Sequence, residues 1–106
     1  KYPDAQEELL KAVQLKPSLR DAYYELAYAA QQNKQYELAI RALEARAKFL
    51  PETAGTYWIR AVSFDNLHAY KQAAENYRRF LTADAGNSPD QDFQARHRLI
   101  AIEPKR

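Results

Sequence analysis

The sequence predicts an all-α chain built from antiparallel helix pairs that repeat along its length. Three observations predict this: the composition, the recurrence of residue types at one period, and the spacing of apolar residues within each period. Only 2 glycines and 5 prolines occur among the 106 residues, while helix-favouring Ala, Leu, Glu, Gln, Lys and Arg are abundant. A chain of this length can form one domain with a modest core, so we expect residues 1–106 to be a single domain.

The second observation is that several residue types recur at a spacing of 34 residues. The recurring residues are Tyr2, Tyr36 and Tyr70; Ala5, Ala39 and Ala73; Leu9, Leu43 and Tyr77; and the pairs Pro17 and Pro51, Tyr23 and Tyr57, and Ala27 and Ala61. One match could be chance, but several independent series at a single period indicate repeated structural units.

The third observation is the spacing of apolar residues within each period. They are separated by three and four positions, as on one face of a helix. One such run begins at Tyr23 and another at Tyr36. The spacing predicts six helices, over about residues 3–15, 20–33, 36–49, 55–67, 70–84 and 90–102.

Residues that favour helix ends lie between these predicted helices. Ser18 precedes the second helix as an N-cap would. Ser88, Pro89 and Gln91 predict an N-cap, a proline at the first helical position and a capping-box partner. Gly86 lies where a helix would end in left-handed backbone.

These residues resemble the tetratricopeptide repeat family. Its signature places an aromatic, a leucine, a small residue and an aromatic on one helix, then an alanine, a large apolar residue and a proline on the next. The first full repeat fills these places with Tyr23, Leu26, Ala27, Ala30, Ala39, Leu43 and Pro51. The second fills them with Tyr57, Arg60, Ala61, Phe64, Ala73 and Tyr77, and Ala85 stands where proline is expected. The match covers about residues 1–86, and its alanines let two helices approach closely.

The resemblance implies a right-handed superhelical array, an α-solenoid of about six helices. Residues 1–17 would be the second helix of a half-repeat, 18–51 and 52–86 full repeats, and 87–103 a C-terminal capping helix. The capping helix has two apolar stripes, formed by Phe93, His97 and Ile100 and by Ala95, Leu99 and Ile102. A terminal unit of a repeat array needs one side covered.

The sequence departs from the family pattern at several places. Arg60 replaces the usual leucine, and Arg46 a usual alanine. The turns within the two repeats, Asn33-Lys34 and His68-Ala69, lack the usual glycine. Asn33, in the first of them, is a residue type that can take left-handed backbone.

The family binds ligands mainly in a concave groove lined by the first helix of each pair. The resemblance therefore implies a groove that binds a protein or peptide, with Asp21, Tyr24, Glu25, Tyr28, Gln31, Gln32, Trp58, Ile59, Val62, Asp65 and Asn66 facing it. Tyrosine and tryptophan are common anchors in protein recognition. In the alternative interpretation, Tyr24, Tyr28 and Trp58 pack against a neighbouring helix or another part of the parent protein.

Other partners are not expected. The net charge of +2 lacks the clustered basic excess that nucleic-acid binding needs, and no run of about 18 apolar residues predicts a membrane span. Some members of the family bind the C-terminal carboxylates of chaperones through Lys and Asn, but Tyr24, Tyr28 and Ile59 occupy those places. A basic cluster could meet an acidic partner, but a solvated polar face is the commoner explanation and is the interpretation adopted for Arg78, Arg79, Arg96, Arg98, Lys105 and Arg106.

No residues predict chemistry. His68 and His97 lie on different elements without paired carboxylates, so neither a metal nor another cofactor is expected. Ser18, Ser63 and Ser88 lack a base and an orienting partner, so the chain is predicted not to be an enzyme. The sequence has 0 cysteines, so disulfide bonds cannot indicate the redox compartment. The composition resembles that of bacterial arrays, but the choice between cytoplasm and periplasm stays open.

Three functions remain at this point. The first is a protein- or peptide-binding scaffold that uses the groove. The second is a structural C-terminal segment of a longer array, which either caps that array or mediates self-association through the exposed half-repeat around Leu9 and Val13. The third is an accessory module of an enzyme whose chemistry lies outside these residues.

Overall fold

The computed structural model describes residues 20–103, with side chains from residue 22 onward. It contains the helices α1 (Arg20–Gln32), α2 (Tyr36–Ala47), α3 (Ala54–Asn66), α4 (Tyr70–Asp84) and α5 (Pro89–Ile102). No strand occurs between residues 20 and 103. The all-α prediction is confirmed, and the five helices predicted in this range begin and end within two residues of their expected bounds.

Some predictions lie outside the described part of the chain. The helix predicted at about residues 3–15, the N-cap at Ser18 and the half-repeat edge around Leu9 and Val13 all precede residue 20. Within the described residues, no helix is both long and apolar enough to cross a membrane.

The chain divides into two compact units, Lys1–Glu52 and Thr53–Arg106. In the first unit α1 packs against α2; in the second, α3 packs against α4, and α5 also packs against α4. The helix starts at residues 20 and 36 in the first unit recur at residues 54 and 70 in the second. Within residues 20–103, one such helix pair therefore lies in each unit, and the two pairs are offset by the 34 residues that the sequence predicts.

The alanines of the repeat lie where the helices of each pair meet. Ala27 and Ala39 are 0% exposed in the first unit, as are Ala61 and Ala73 in the second. A side chain that ends at Cβ lets two helix backbones approach closely, and larger neighbours then fill the adjoining grooves. The small residues that define the repeat in the sequence are therefore the contacts that define each helix pair.

The turns inside the two pairs also repeat. Lys34 and His68 have positive φ angles of 61° and 65°, and the next residue of each turn donates a backbone hydrogen bond across it, Gln35 to Ala30 at 2.7 Å and Ala69 to Phe64 at 2.9 Å. This is the Schellman arrangement of a helix end.

In the first turn the left-handed residue is Lys34, and Asn33 keeps a negative φ. Its N–H still continues the helical pattern by bonding to the Ala29 carbonyl at 3.0 Å, so the left-handed position falls one residue later, at Lys34. The Asn33 side chain donates to the same carbonyl at 3.1 Å.

The end of α4 explains a departure from the repeat pattern. Ala85, where the family has proline, has φ 51°, and Gly86, which follows it, has φ 82°. Proline is restricted to φ near −65°, so it cannot occupy this turn. The left-handed backbone expected at Gly86 is confirmed, but it begins one residue earlier.

The capping box predicted at the start of α5 is wrong. The Ser88 side chain forms no cap bond. The Ser88 backbone N–H, which the Gln91 side chain would accept in a capping box, donates instead to Oδ2 of Asp84 at 2.8 Å. A capping box that the sequence analysis did not predict starts α3, where Thr53 and Thr56 exchange side-chain to backbone bonds of 3.3 and 2.9 Å.

The core of the second unit draws on all three of its helices. Its buried residues are Ala61, Ala73, Ala74, Tyr77, Phe80, Ala95 and Leu99. Only one of the two apolar stripes of α5 joins this core, since Phe93 and Ile100 of the other stripe are 71% and 74% exposed.

Candidate binding surface

Two adjacent stripes on α1 have opposite environments. The first contains Tyr23, Leu26, Ala27 and Ala30, which are at most 1% exposed and form the contact with α2. The second contains Tyr24, Tyr28, Gln31 and Gln32, at the spacings of three and four that place residues on one helix face. We call this second stripe the α1 face.

The α1 face presents aromatic and amide groups at the surface. The Tyr28 side chain is 53% exposed, Tyr24 and Gln31 are half-buried, and Gln32 is exposed. Glu25 is exposed at its edge, while the side chain of Asp21, in the first turn of α1, lies outside the described side chains. The face combines apolar ring area with hydrogen-bonding groups, which suits the binding of a polypeptide.

The residues predicted to face the groove from α3 have mixed environments. Trp58 is half-buried because its ring packs on two rings of α4, those of Tyr77 and Phe80, at centroid distances of 5.9 and 5.1 Å. Ile59 is 1% exposed, so its side chain offers no surface. Val62 is half-buried against the core of the second unit.

At the end of α3, Asn66 is exposed and its side-chain amide donates to the Val62 carbonyl at 2.8 Å. The α3 surface is therefore narrower than the sequence predicts, and consists of the exposed edge of Trp58 with Val62 and Asn66 beside it.

Asp65, the remaining predicted groove residue, is engaged inside the second unit. Its carboxylate accepts two hydrogen bonds of 2.7 Å from the guanidinium of Arg98 on α5, and a third of 2.9 Å from the Tyr77 hydroxyl on α4. We call these three residues the Asp65 clamp. Its geometry joins all three helices of the unit through one carboxylate.

The clamp shifts the acid–base behaviour of its members. Burial by itself would raise the pKa of Asp65, but the hydrogen bonds from Arg98 and Tyr77 outweigh it and hold that pKa below its ordinary range. Burial raises the pKa of Tyr77, and the bond to Asp65 raises it further. At neutral pH the clamp is therefore an ionised carboxylate held by a cation and a neutral phenol.

The interpretation of the basic residues as a solvated face is wrong for Arg98, because its guanidinium pairs with Asp65. Arg78 and Arg79 fit that interpretation better: both side chains are more than half exposed, and they pair with the exposed carboxylates of Glu103 and Glu75. Arg96 is exposed. Lys105 and Arg106 lie beyond the described residues.

The two histidines stack on aromatic neighbours. His68 lies 5.6 Å from the ring of Tyr70, and His97 lies 6.1 Å from the ring of Phe93. In the part of the chain that the structure describes, no group of three or more His, Cys, Asp or Glu side chains is placed to hold a metal ion.

A second buried acidic feature was not predicted from the sequence. Asp84 at the end of α4 is 5% exposed, and Asp92 in the first turn of α5 is 9% exposed. One signal was present: Asp84 follows Phe80 by four positions and Tyr77 by seven, so the helical period places it on the buried face of α4.

Comparison with known proteins does not assign the chain to a protein family. No protein-family model, no curated protein and no solved structure matches it. The resemblance to tetratricopeptide repeats therefore depends on the residues and their spacing.

Proposed function

We propose that this chain is part of a tetratricopeptide-type array and that it binds a protein or peptide segment on the first helix of each pair, without chemistry of its own. The right-handed superhelical arrangement, with a concave groove lined by these first helices, belongs to this proposal. The matching helix starts, buried alanines and left-handed turn residues of the two pairs support the repeat class.

The observation that carries the binding proposal is the exposure of Tyr28 on a helix whose adjacent stripe is buried. Its side chain is 53% exposed, one residue away from Ala27, which is 0% exposed. The buried stripe already fixes the backbone of α1. Binding would therefore order only the two side-chain torsions of Tyr28, which costs little conformational entropy. Exposed aromatic groups on rigid elements are frequent binding hot spots.

Trp58 is proposed as a second contact. Its ring is fixed by packing on Tyr77 and Phe80, which leaves only part of it exposed. This packing limits the area that a partner can cover, so the contribution of Trp58 to binding should be smaller than that of Tyr28.

Selection of peptides from a random display library, followed by titration of the strongest binder, tests this proposal. We expect Tyr28→Ala to weaken binding by about tenfold or more and Trp58→Ala to weaken it less. Tyr70→Ala is the matched control, because Tyr70 is also an exposed tyrosine, 41% exposed, but lies outside the α1 face. It should change the Kd by less than about twofold.

The proposal fails if the selected peptides bind Tyr28→Ala and Trp58→Ala as tightly as the parent chain. Circular dichroism of each variant checks that helix content is retained. Because Tyr28 is exposed, its replacement should change the free energy of unfolding by no more than about 0.5 kcal/mol.

Self-association is the second candidate, and the exposed stripe of α5 favours it. Phe93 and Ile100 are the two most exposed of the large apolar side chains described, and such stripes often mark contacts between chains. Light scattering over a concentration series should then show a defined oligomer that Ile100→Lys disrupts. A monomer at every concentration would contradict this candidate.

A further inference from the structure

The helix α5 carries a stripe of side chains that the core of the second unit leaves uncovered. It consists of Phe93, His97 and Ile100, and we call it the outer α5 stripe. Phe93 and Ile100 are 71% and 74% exposed, and His97 is exposed between them. The rings of Phe93 and His97 stack at a centroid distance of 6.1 Å. The stripe therefore presents aromatic and aliphatic groups to solvent along two turns of the helix.

The outer α5 stripe has the spacing of the two stripes on which the helix pairs are built. Its members are separated by four and then three positions, and the first of them is aromatic. The same pattern occurs on α1 in Tyr23, Ala27 and Ala30, and on α3 in Tyr57, Ala61 and Phe64. The α1 stripe packs on α2, and the α3 stripe packs in the core of the second unit with α4. On both helices this stripe receives the helix that follows.

The buried stripes beside these residues support the same equivalence. On α3 the stripe one residue earlier is at most 1% exposed and consists of Thr56, Ile59 and Ser63. On α5 the stripe one residue earlier is at most 9% exposed and consists of Asp92, Ala95 and Leu99. The offset of 36 residues between the two sets also separates the last residues of the two helices, Asn66 and Ile102.

The recurrence of a single residue type would align α5 differently. Ala95 lies 34 positions after Ala61, but that alignment would place the polar residues Gln91 and Arg98 where α3 has aromatic residues. The offset of 36 residues instead matches an aromatic residue with an aromatic residue at the first position and an apolar residue with an apolar residue at the last. Burial and side-chain chemistry therefore select the offset of 36.

We propose that α5 is the first helix of a third pair and that the outer α5 stripe binds an antiparallel amphipathic helix of the same kind as α2 and α4. The proposal rests on the proposed repeat class but not on binding at the α1 face. In both described pairs a turn of three residues joins the helices, so the occupant runs antiparallel to α5. Both second helices present a buried alanine and, four positions later, a large buried residue: Ala39 with Leu43, and Ala73 with Tyr77.

The surroundings of the outer α5 stripe select leucine over tyrosine as the large residue of the occupant. In the second pair the Tyr77 hydroxyl donates to the Asp65 carboxylate at 2.9 Å. At the offset of 36 residues, α5 has Ala101 in the place of Asp65, and its side chain offers no acceptor to a buried hydroxyl. The occupant therefore resembles α2, which carries Leu43, more closely than α4.

A second copy of α5 fits this stripe less well than such a helix. Residues near the axis of an isologous contact meet their own copies, so antiparallel pairing of two outer α5 stripes brings His97 against His97. Arg96, which is exposed one residue before it, would then lie near its own copy, and like charges repel. A helix with an alanine at the centre of its apolar stripe leaves room for the imidazole and adds no such charge.

Titration of the full chain with a peptide of the α2 sequence, residues 36–47, tests the proposal. The peptide ends are acetylated and amidated, and backbone amide NMR follows binding up to about 1 mM peptide. We expect the largest shifts at Phe93, His97 and Ile100. Ile100→Lys should weaken binding by about tenfold or more. Leu67→Lys is the matched control, because Leu67 is another exposed apolar residue, 40% exposed, and it should change the Kd by less than about twofold.

His97→Ala distinguishes a helix-receiving stripe from a general apolar patch. The substitution introduces the alanine that α1 and α3 have at this place, so the peptide can approach more closely and should bind about threefold or more tightly. On a general apolar patch, loss of the imidazole removes contact area and weakens binding. Weaker binding of the peptide to His97→Ala would therefore overturn the proposal.

A second form of the peptide tests the small residue of the occupant. Replacing its alanine, Ala39→Leu, keeps helix propensity but prevents close approach, so binding should weaken by about tenfold or more. Equal binding of the two peptides would contradict a helix-pair contact.

Three other results would overturn the proposal. The first is the absence of binding to the parent chain at the highest peptide concentration, and the second is a set of shifts confined to α1 and α2. The third is a dimer in light scattering that Ile100→Lys dissociates and the peptide does not, which would make a second copy the occupant. Tyr28→Ala should leave the Kd of this peptide unchanged, so failure of binding at the α1 face and failure of this proposal are separate results.

Discussion

The two helix pairs share their backbone geometry but are held together by different chemistry. Leu43, 1% exposed, lies in the core of the first pair, and Tyr77, 3% exposed, occupies the equivalent position in the second. Gln31 is half-buried on α1, whereas its equivalent Asp65 binds both Tyr77 and Arg98. The repeat therefore specifies where helices approach, and the large residues between the alanines can be apolar or polar provided that polar groups find partners.

The largest expected effect comes from substituting each of these two core residues with its equivalent in the other pair. Leu43→Tyr places a larger side chain with an unpartnered hydroxyl among buried alanines, and should lower the free energy of unfolding by about 2–4 kcal/mol. Tyr77→Leu removes one of three hydrogen bonds to Asp65 and a ring contact with Trp58, and should cost about 1–2 kcal/mol. Urea unfolding monitored by circular dichroism measures both, and equal costs would contradict the distinction between the pairs.

The next effect tests whether Arg98 of α5 helps to hold the second unit together. Arg98→Ala leaves Asp65, whose side chain is 10% exposed, with Tyr77 as its remaining partner, and should cost about 1–3 kcal/mol in urea unfolding. Arg79→Ala removes an exposed ion pair with Glu75 on one helix and serves as the control, with an expected change below about 0.5 kcal/mol. A similar cost for both variants would mean that the clamp is a surface pair.

The stabilisation by the Asp65 clamp should also depend on pH. Because the pKa of Asp65 is held below its ordinary 3.8, the clamp stabilises the fold above that pH and this contribution is lost as the pH falls through the lowered value. The difference in stability between the parent and Arg98→Ala should therefore be full near neutral pH and shrink in strong acid. A difference that stays constant on acidification would show that Arg98 acts through packing and not through its charge.

The smallest expected effects concern the turns, where the two pairs are alike. Lys34 and His68 both have positive φ, which is unfavourable for a residue with Cβ. Lys34→Gly should raise the free energy of unfolding by about 0.5–1 kcal/mol. His68→Gly should gain less, because it also removes the stacking of His68 on Tyr70. Lys34→Ala, which keeps Cβ, should give no such gain; a gain equal to that of Lys34→Gly would assign the effect to the lysine side chain.

Much of the fold could be predicted because its determinants are local. Apolar spacing of three and four gives the helices, and the buried alanines of each pair recur at a fixed offset in the sequence. The sequence did not show which residue of the first turn takes the left-handed backbone, since a helix that continues through Asn33 and one that stops before it have the same apolar pattern.

The polar features could not be predicted because they join distant residues. Arg98 and Asp65 are 33 positions apart, and charge pattern alone does not reveal which of the chain's basic residues meets which carboxylate. The α1 face was predictable in outline from its helical spacing. The burial of Ile59 and the engagement of Asp65 depend on tertiary packing that no local pattern encodes.

The most direct test of the proposed binding role is a map of the bound peptide on the chain. Backbone amide NMR spectra would be recorded during titration with a peptide selected from the display library. The proposal predicts that the largest shifts lie on α1 between Tyr24 and Gln32, with smaller shifts near Trp58. Shifts centred on Phe93 and Ile100 of α5, with α1 unaffected, would contradict it.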